Sequence, residues 1–152
     1  MGVYSQVALC ITDSAYTTFR DNINKVKDHV SMTENTYEEI LNVLDKYCDH
    51  FTKDNCHLLV WDSIKWYDTD IHNPAFWIEG CLCLITVPFN FKDDKATYSP
   101  EEYDLSNLNN IDNRDFKLID LGFSDGPFYE EYGDFWDNPF NLGPSYSINY
   151  KI

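Results

Sequence analysis

The chain has 152 residues, with 26 Asp and Glu against 11 Lys and Arg, for a formal net charge of −15. Acidity this lopsided normally marks disorder, but 43% of the residues are hydrophobic and 16% aromatic, so the charge is carried by a chain that can bury a core. A folded surface of that sign repels nucleic acid and anionic membranes and attracts basic partners, which excludes direct nucleic-acid binding.

Several classes fall away on sequence alone. No run of 18 apolar residues predicts a membrane span. Met1-Gly2-Val3-Tyr4-Ser5-Gln6 has no basic region followed by an apolar stretch, and Gln6 stands where myristoylation needs Ser or Thr. A cytoplasmic location, in a host cytosol, is the expectation. Five irregularly spaced Cys fit reduced thiols better than a disulfide framework.

In chain order, Val3 to Ile11 is apolar on both faces and predicts a buried strand, in which Cys10 acts as a small hydrophobe. The period then changes. Tyr16, Phe19, Ile23, Val26 and Val30 recur at steps of three and four, the stripe of an amphipathic helix capped by Asp13 or Ser14. Asn35 with Glu38 forms a loose capping box, and Tyr37, Ile40, Leu41, Leu44 and Tyr47 mark a second helix, expected to pack on the first. After a polar turn at Thr52 to Asn55, His57 to Trp61 reads as a strand that Asp62 to Tyr67 either extends or leaves.

Asn73-Pro74 is a helix start, because Pro at the first helical position sacrifices no hydrogen bond. Pro74 to Leu84 reads as helix, although Cys81, Cys83 and Ile85 also alternate as a strand would. Residues 91–115 read as a long Asn- and Asp-rich loop with one helical turn near Pro100 to Leu105. Phe116 to Phe123 returns to strand character, and in the turn-rich remainder Tyr146 to Ile152 is expected to close the sheet. These elements predict an α+β fold, an antiparallel or mixed sheet with two or three helices packed on one face, in a single domain spanning 1–152.

No catalytic signature emerges, so no catalytic residue, cofactor or metal is expected and the chain reads as a non-enzyme. Cys48, His50, Cys56 and His57 form the nearest approach to a metal cluster. Yet Cys48-x-His50 is too tight for a usual zinc turn, and adjacent Cys56 and His57 point to opposite faces of a strand. Cys81-x-Cys83 is not the redox spacing. His29-Val30-Ser31 is half of a two-histidine phosphoesterase motif with no second half, and no nucleophile elbow accompanies His57. Phosphate-binding glycine loops are absent. Asp68-Thr69-Asp70 lacks the Gly and distal Glu of a calcium loop. The acid pairs Asp93-Asp94, Glu101-Glu102 and Glu130-Glu131 arise by chance among 26 acids and are each weak evidence for the two carboxylates of a hydrolase.

The C-terminal stretch is more specific. Asp120, Asp125, Glu130, Glu131, Asp134 and Asp137 interleave with Phe123, Phe128, Tyr129, Tyr132, Phe135 and Trp136. Either the aromatics are core and the acids merely solvated, or the stretch is an interface in which Tyr and Trp anchor a partner while carboxylates imitate nucleic-acid phosphates. The interface reading takes Asp120, Asp125, Glu130, Glu131, Tyr132, Asp134, Trp136 and Asp137 as the partner-binding set.

Trp61-Asp62-Ser63-Ile64-Lys65-Trp66-Tyr67, followed by Glu130-Glu131-Tyr132-Gly133-Asp134 and Asn138-Pro139-Phe140, resembles a loose set of small acidic proteins encoded by bacteriophages, from about His57 to the C-terminus, with Phe89 to Arg114 as an insertion. The resemblance carries over no catalytic residue. It implies a protein that binds a host protein and blocks it, as acidic inhibitors of nucleases, restriction enzymes and CRISPR effectors do against basic grooves. The leading expectation is therefore an anti-defence inhibitor, a DNA mimic in the strong form, whose partner is the basic surface of a host nucleic-acid-binding protein. The alternatives are an assembly module that self-associates through aromatic surfaces into a homo-oligomer, and a small hydrolase or metal-dependent enzyme built on His57.

Overall fold

A computed structural model describes residues 4–84, 98–122, 128–144 and 148–152. The elements are β1 (Ser5–Thr12), α1 (Asp13–Val26), α2 (Glu34–Asp45), β2 (Asp49–Lys53), β3 (Cys56–Ile64), α3 (Pro74–Cys81), α4 (Pro100–Tyr103), β4 (Phe116–Gly122), β5 (Phe128–Tyr132), β6 (Gly143–Pro144) and β7 (Ile148–Asn149). The fold is α+β, and the main sheet is antiparallel throughout. The chain divides into two compact units: Met1–Thr17, Tyr47–Trp66 and Asp112–Ile152 in one, Thr18–Lys46 and Tyr67–Ile111 in the other.

The first unit holds the five-stranded sheet, in the order β2-β3-β1-β4-β5. β1 is central because it is apolar on both faces, as its sequence predicts. Ala8 and Cys10 face one side, with Cys56, Leu58 and Val60 of β3 and Ile119 and Leu121 of β4. That face is covered by Phe140, Leu142 and Ile148 from the C-terminal segment, flanked by Phe51, Phe135 and Tyr150. The C-terminal segment thus does not add a strand to the main sheet as expected. Among the described residues β7 pairs with β6, in a separate two-stranded ribbon. The Asn138 side chain fixes the approach, donating to Phe135 O at 3.0 Å and accepting from Leu142 N at 2.7 Å.

β2 and β3 form a hairpin across Asp54-Asn55, whose φ values of 50° and 60° give both turn positions the left-handed conformation of a type I′ connection. β2 was not expected. Its residues are polar because it is an edge strand with only Phe51 turned to the core. The capping side chain of α1 is neither Asp13 nor Ser14: Thr12 Oγ1 accepts from Ala15 N at 3.3 Å.

In the second unit the helices start and stop for local reasons. Thr33 rather than Asn35 caps α2, accepting from Thr36 N at 3.1 Å. Asn73 caps α3, with Pro74 at its first position, as the sequence predicts. Val30 and Tyr47 fall past the ends of α1 and α2 and are 77% and 67% exposed, so neither belongs to the apolar stripe assigned to it. α2 packs against α3, and it meets α1 through a fork in which Arg20 donates to both Asp45 oxygens at 2.7 and 3.2 Å.

Asn22, fully buried, donates to Cys81 O at 3.0 Å and Asn109 O at 2.9 Å and accepts from Asn109 N at 2.8 Å. Its amide thereby staples α1 to the end of α3 and the following loop. The expected helical turn near Pro100 is α4. The rest of that loop up to residue 97 lies outside the described residues.

Candidate functional site

Two clusters of chemistry sit at opposite edges of the sheet, both within the first unit. The β4–β5 edge contains most of the partner-binding set expected from sequence. Lys117 of β4 is only 5% exposed, which a charged side chain tolerates only when its charge is met. Its ammonium lies 2.8 Å from Glu131 Oε1 and 4.7 Å from the centroid of the Trp136 ring. Tyr129 donates its hydroxyl proton to the other Glu131 oxygen.

Burial opposes ionisation of Glu131, but hydrogen bonds from Lys117 and Tyr129 and the charge of Lys117 outweigh it, holding the carboxyl below its ordinary range. Burial, the hydrogen bond to Glu131 and its charge push the Tyr129 phenol up. The Tyr132 hydroxyl donates to Glu130 in the same manner.

The expected site is therefore divided. Asp120 is 3% exposed, directly opposite Glu130 in the β4–β5 pairing, and so cannot present its carboxylate to a partner. Glu130 and Glu131 are half-buried and already hold Tyr132 and Tyr129. Asp125 lies outside the described residues. The remaining three are solvent-facing: Asp134, Trp136 at 72% exposure, and Asp137.

Gly133 turns the chain out of β5 toward them. Its φ is +86°, and a Cβ there would lie 2.1 Å from Phe116 O, so no other residue fits. Beyond it, Asp134 N donates to Asn113 O at 2.7 Å, Phe135 N to Phe116 O at 3.2 Å, and Asn113 Nδ2 to Asp134 Oδ2 at 2.8 Å. Trp136 is thus an exposed aromatic on a pinned backbone.

The β2–β3 edge carries a cluster that sequence reading separated. In the hairpin register Thr52 faces His57 and His50 faces Leu59, which sets His50 and His57 diagonally on one face. Their nitrogens, His50 Nε2 and His57 Nδ1, are 2.8 Å apart. On its far side His57 Nε2–H donates to Asp13 Oδ1.

Tyr16 stacks on the His57 ring, with centroids 4.2 Å apart and planes at 23°, and meets His50 edge-on at 5.7 Å. The placement of Asp13 follows from the strands. Thr12 pairs with Cys56, so the chain leaves β1 beside the hairpin turn, and Asp13 N donates to Asn55 O at 2.9 Å.

Of the four Cys and His considered together in the sequence, the fold unites the two histidines and sends Cys56 to the opposite, apolar face, as strand geometry requires. Among the described residues no group of three or more His, Cys, Asp or Glu is arranged to hold a metal ion. The Asp13–His57 contact spans 44 positions, so no local pattern announces it. The two-residue Asp54-Asn55 turn was the available signal for the hairpin that makes it.

No protein-family model, curated protein or solved structure matches this chain. Among the described residues no helix is long and apolar enough to cross a membrane.

Proposed function

We propose that this chain is a non-enzymatic acidic inhibitor of the phage type that docks on the basic surface of a nucleic-acid-handling or defence protein, working in a host cytosol, and that it does so through Asp134, Trp136 and Asp137. The observation that carries this reading is the 72% exposure of Trp136 on a backbone fixed at both Asp134 and Phe135. A rigid exposed Trp loses little conformational entropy on binding, the property of an interface anchor. The flanking carboxylates and the net charge of −15 would steer a basic partner toward it. The internal bonds of Glu130 and Glu131 narrow the reading from a long phosphate-like row to this short segment.

The test is a tagged pull-down from nuclease-treated bacterial lysate at low and high salt, with Trp136→Ala and the Asp134→Lys/Asp137→Lys pair alongside the parent chain. The expected result is a stoichiometric nucleic-acid-binding protein, held less well at high salt. Its affinity should fall by about 30-fold or more in Trp136→Ala, the scale of a hot-spot residue. Full retention by folded Trp136→Ala would remove the proposed anchor. A concentration-dependent dimer of the parent chain in sedimentation, lost in Trp136→Ala, would assign the same residue to self-association instead.

A further inference from the structure

The histidine pair at the other edge supports a different activity. We propose that His50 Nε2 and His57 Nδ1 form a two-imidazole binding site for a divalent transition cation such as Zn²⁺ or Ni²⁺, with Asp13 orienting His57 from behind.

Three features of the site converge on this. The first is spacing. Two nitrogens bound to one ion at about 2.0–2.1 Å lie roughly 2.9 Å apart at a right angle and about 3.4 Å apart in a tetrahedron. The observed separation of 2.8 Å, spanned by a hydrogen bond, is close to the first value. In the metal-free pair the two nitrogens hydrogen-bond to each other, so an ion enters by breaking that bond, with the bridging proton moving to water or to the other ring nitrogen of its own histidine.

The second feature is the partner on the far nitrogen. A metal-bound histidine characteristically donates its other N–H to a carboxylate, which fixes the tautomer and makes the ligating nitrogen more basic. His57 Nε2–H donates to Asp13, leaving Nδ1 as the nitrogen turned to His50. The third is rigidity. Tyr16 stacks on His57, and the Asp13 backbone is tied to the hairpin turn by its bond to Asn55 O.

His29 differs in its partners: its ring nitrogens meet the backbone, at Asp104 O and Ser31 N, whereas those of His57 meet a carboxylate and a second imidazole. Imidazole nitrogen suits Zn²⁺, Ni²⁺ and Cu²⁺ over Mg²⁺ and Ca²⁺. With two protein donors, water or a partner's group completes the shell.

The experiment titrates the full-length chain with Zn²⁺ and Ni²⁺ separately. It follows heat for stoichiometry and, with Zn²⁺, the long-range ¹H–¹⁵N spectra of the imidazole rings for location. One equivalent should bind saturably, moving the ring resonances of His50 Nε2 and His57 Nδ1 while those of His29 stay put. His50→Gln and His57→Gln should each abolish the saturable phase. Asp13→Asn should weaken it about tenfold, the usual cost of losing such an orienting carboxylate. His72→Gln should leave it unchanged, and amide spectra of each variant report that the fold persists. Saturable binding that survives in the His50→Gln/His57→Gln double variant overturns the assignment, because other donors then carry it. So does a titration in which the two ring nitrogens do not respond.

Discussion

The two edges of the sheet use charged and titratable side chains in opposite ways. At the β4–β5 edge an ammonium, a carboxylate, a phenol and an indole close on one another, and Lys117 is almost out of reach of water. At the β2–β3 edge two hydrogen-bonded imidazoles lie against Tyr16, with His50 exposed and Asp13 standing in solvent behind them. The first arrangement spends its polar groups on holding a strand and its exit turn in place. The second places its imidazoles at the surface, where the proposed cation would reach them. Acid content alone therefore does not locate a site: the edge richer in carboxylates is the one whose carboxylates are mostly committed.

This contrast can be broken most severely at Gly133. Replacing it with Ala forces a left-handed backbone on a Cβ residue and drives that carbon against Phe116 O. The expected cost is about 3 kcal/mol or more by denaturant unfolding. A change under about 0.5 kcal/mol, the size of an ordinary surface substitution, would show that the exit turn is not tightly held.

Next in size is Lys117→Met, which leaves the half-buried Glu131 carboxylate without its cation. It should destabilise by about 3 kcal/mol, the scale seen when one member of a buried pair is removed. Adding Glu131→Gln should recover part of that loss, and simple additivity in the double-mutant cycle would show that the two side chains are not coupled.

A third effect is read from pH. The folded-state carboxyl of Glu131 lies below its ordinary value of 4.5, so the unfolded chain takes up the proton first on acidification. The contribution of Glu131 is fully present above about pH 4.5 and is lost as pH falls from there through the lower folded value. Unfolding free energy measured across that window should decline less steeply in Glu131→Gln than in the parent. Equal slopes would assign the acid sensitivity to other carboxylates.

The smallest effect belongs to the opposite edge. His50→Gln, at an exposed position of an edge strand, should change stability by no more than about 0.5 kcal/mol, while removing the metal response. A large loss of stability there would make the histidine pair a structural element like the lysine cluster.

Much of the framework was legible in the residues. β1 announced itself because both of its faces are apolar, β4 by its apolar run, and α3 by Asn73-Pro74, since a capping side chain and a proline ring act within one turn of the chain. Where the reading failed, the deciding partner was distant or the signal was shared. β2 has too few apolar residues to show a strand period. Its identity comes from the positive φ of Asp54 and Asn55 and from pairing with β3. β5 mixes aromatics with acids, as Phe-Tyr-Glu-Glu-Tyr, a pattern equally suited to an exposed interface, and only pairing with β4 turns Glu131 toward Lys117.

The sequence by itself determined the sign and size of the surface charge, the central apolar strands and the local stops and starts of the helices, because these depend on residue chemistry and on neighbours within a turn. Only the tertiary structure decided which charges remain available. Strand register carried Asp120 inward, set Lys117 against Glu131, and brought Asp13, His50 and His57 together across 44 positions. Register is fixed by burying one apolar row against another, and polar side chains go wherever that burial places them.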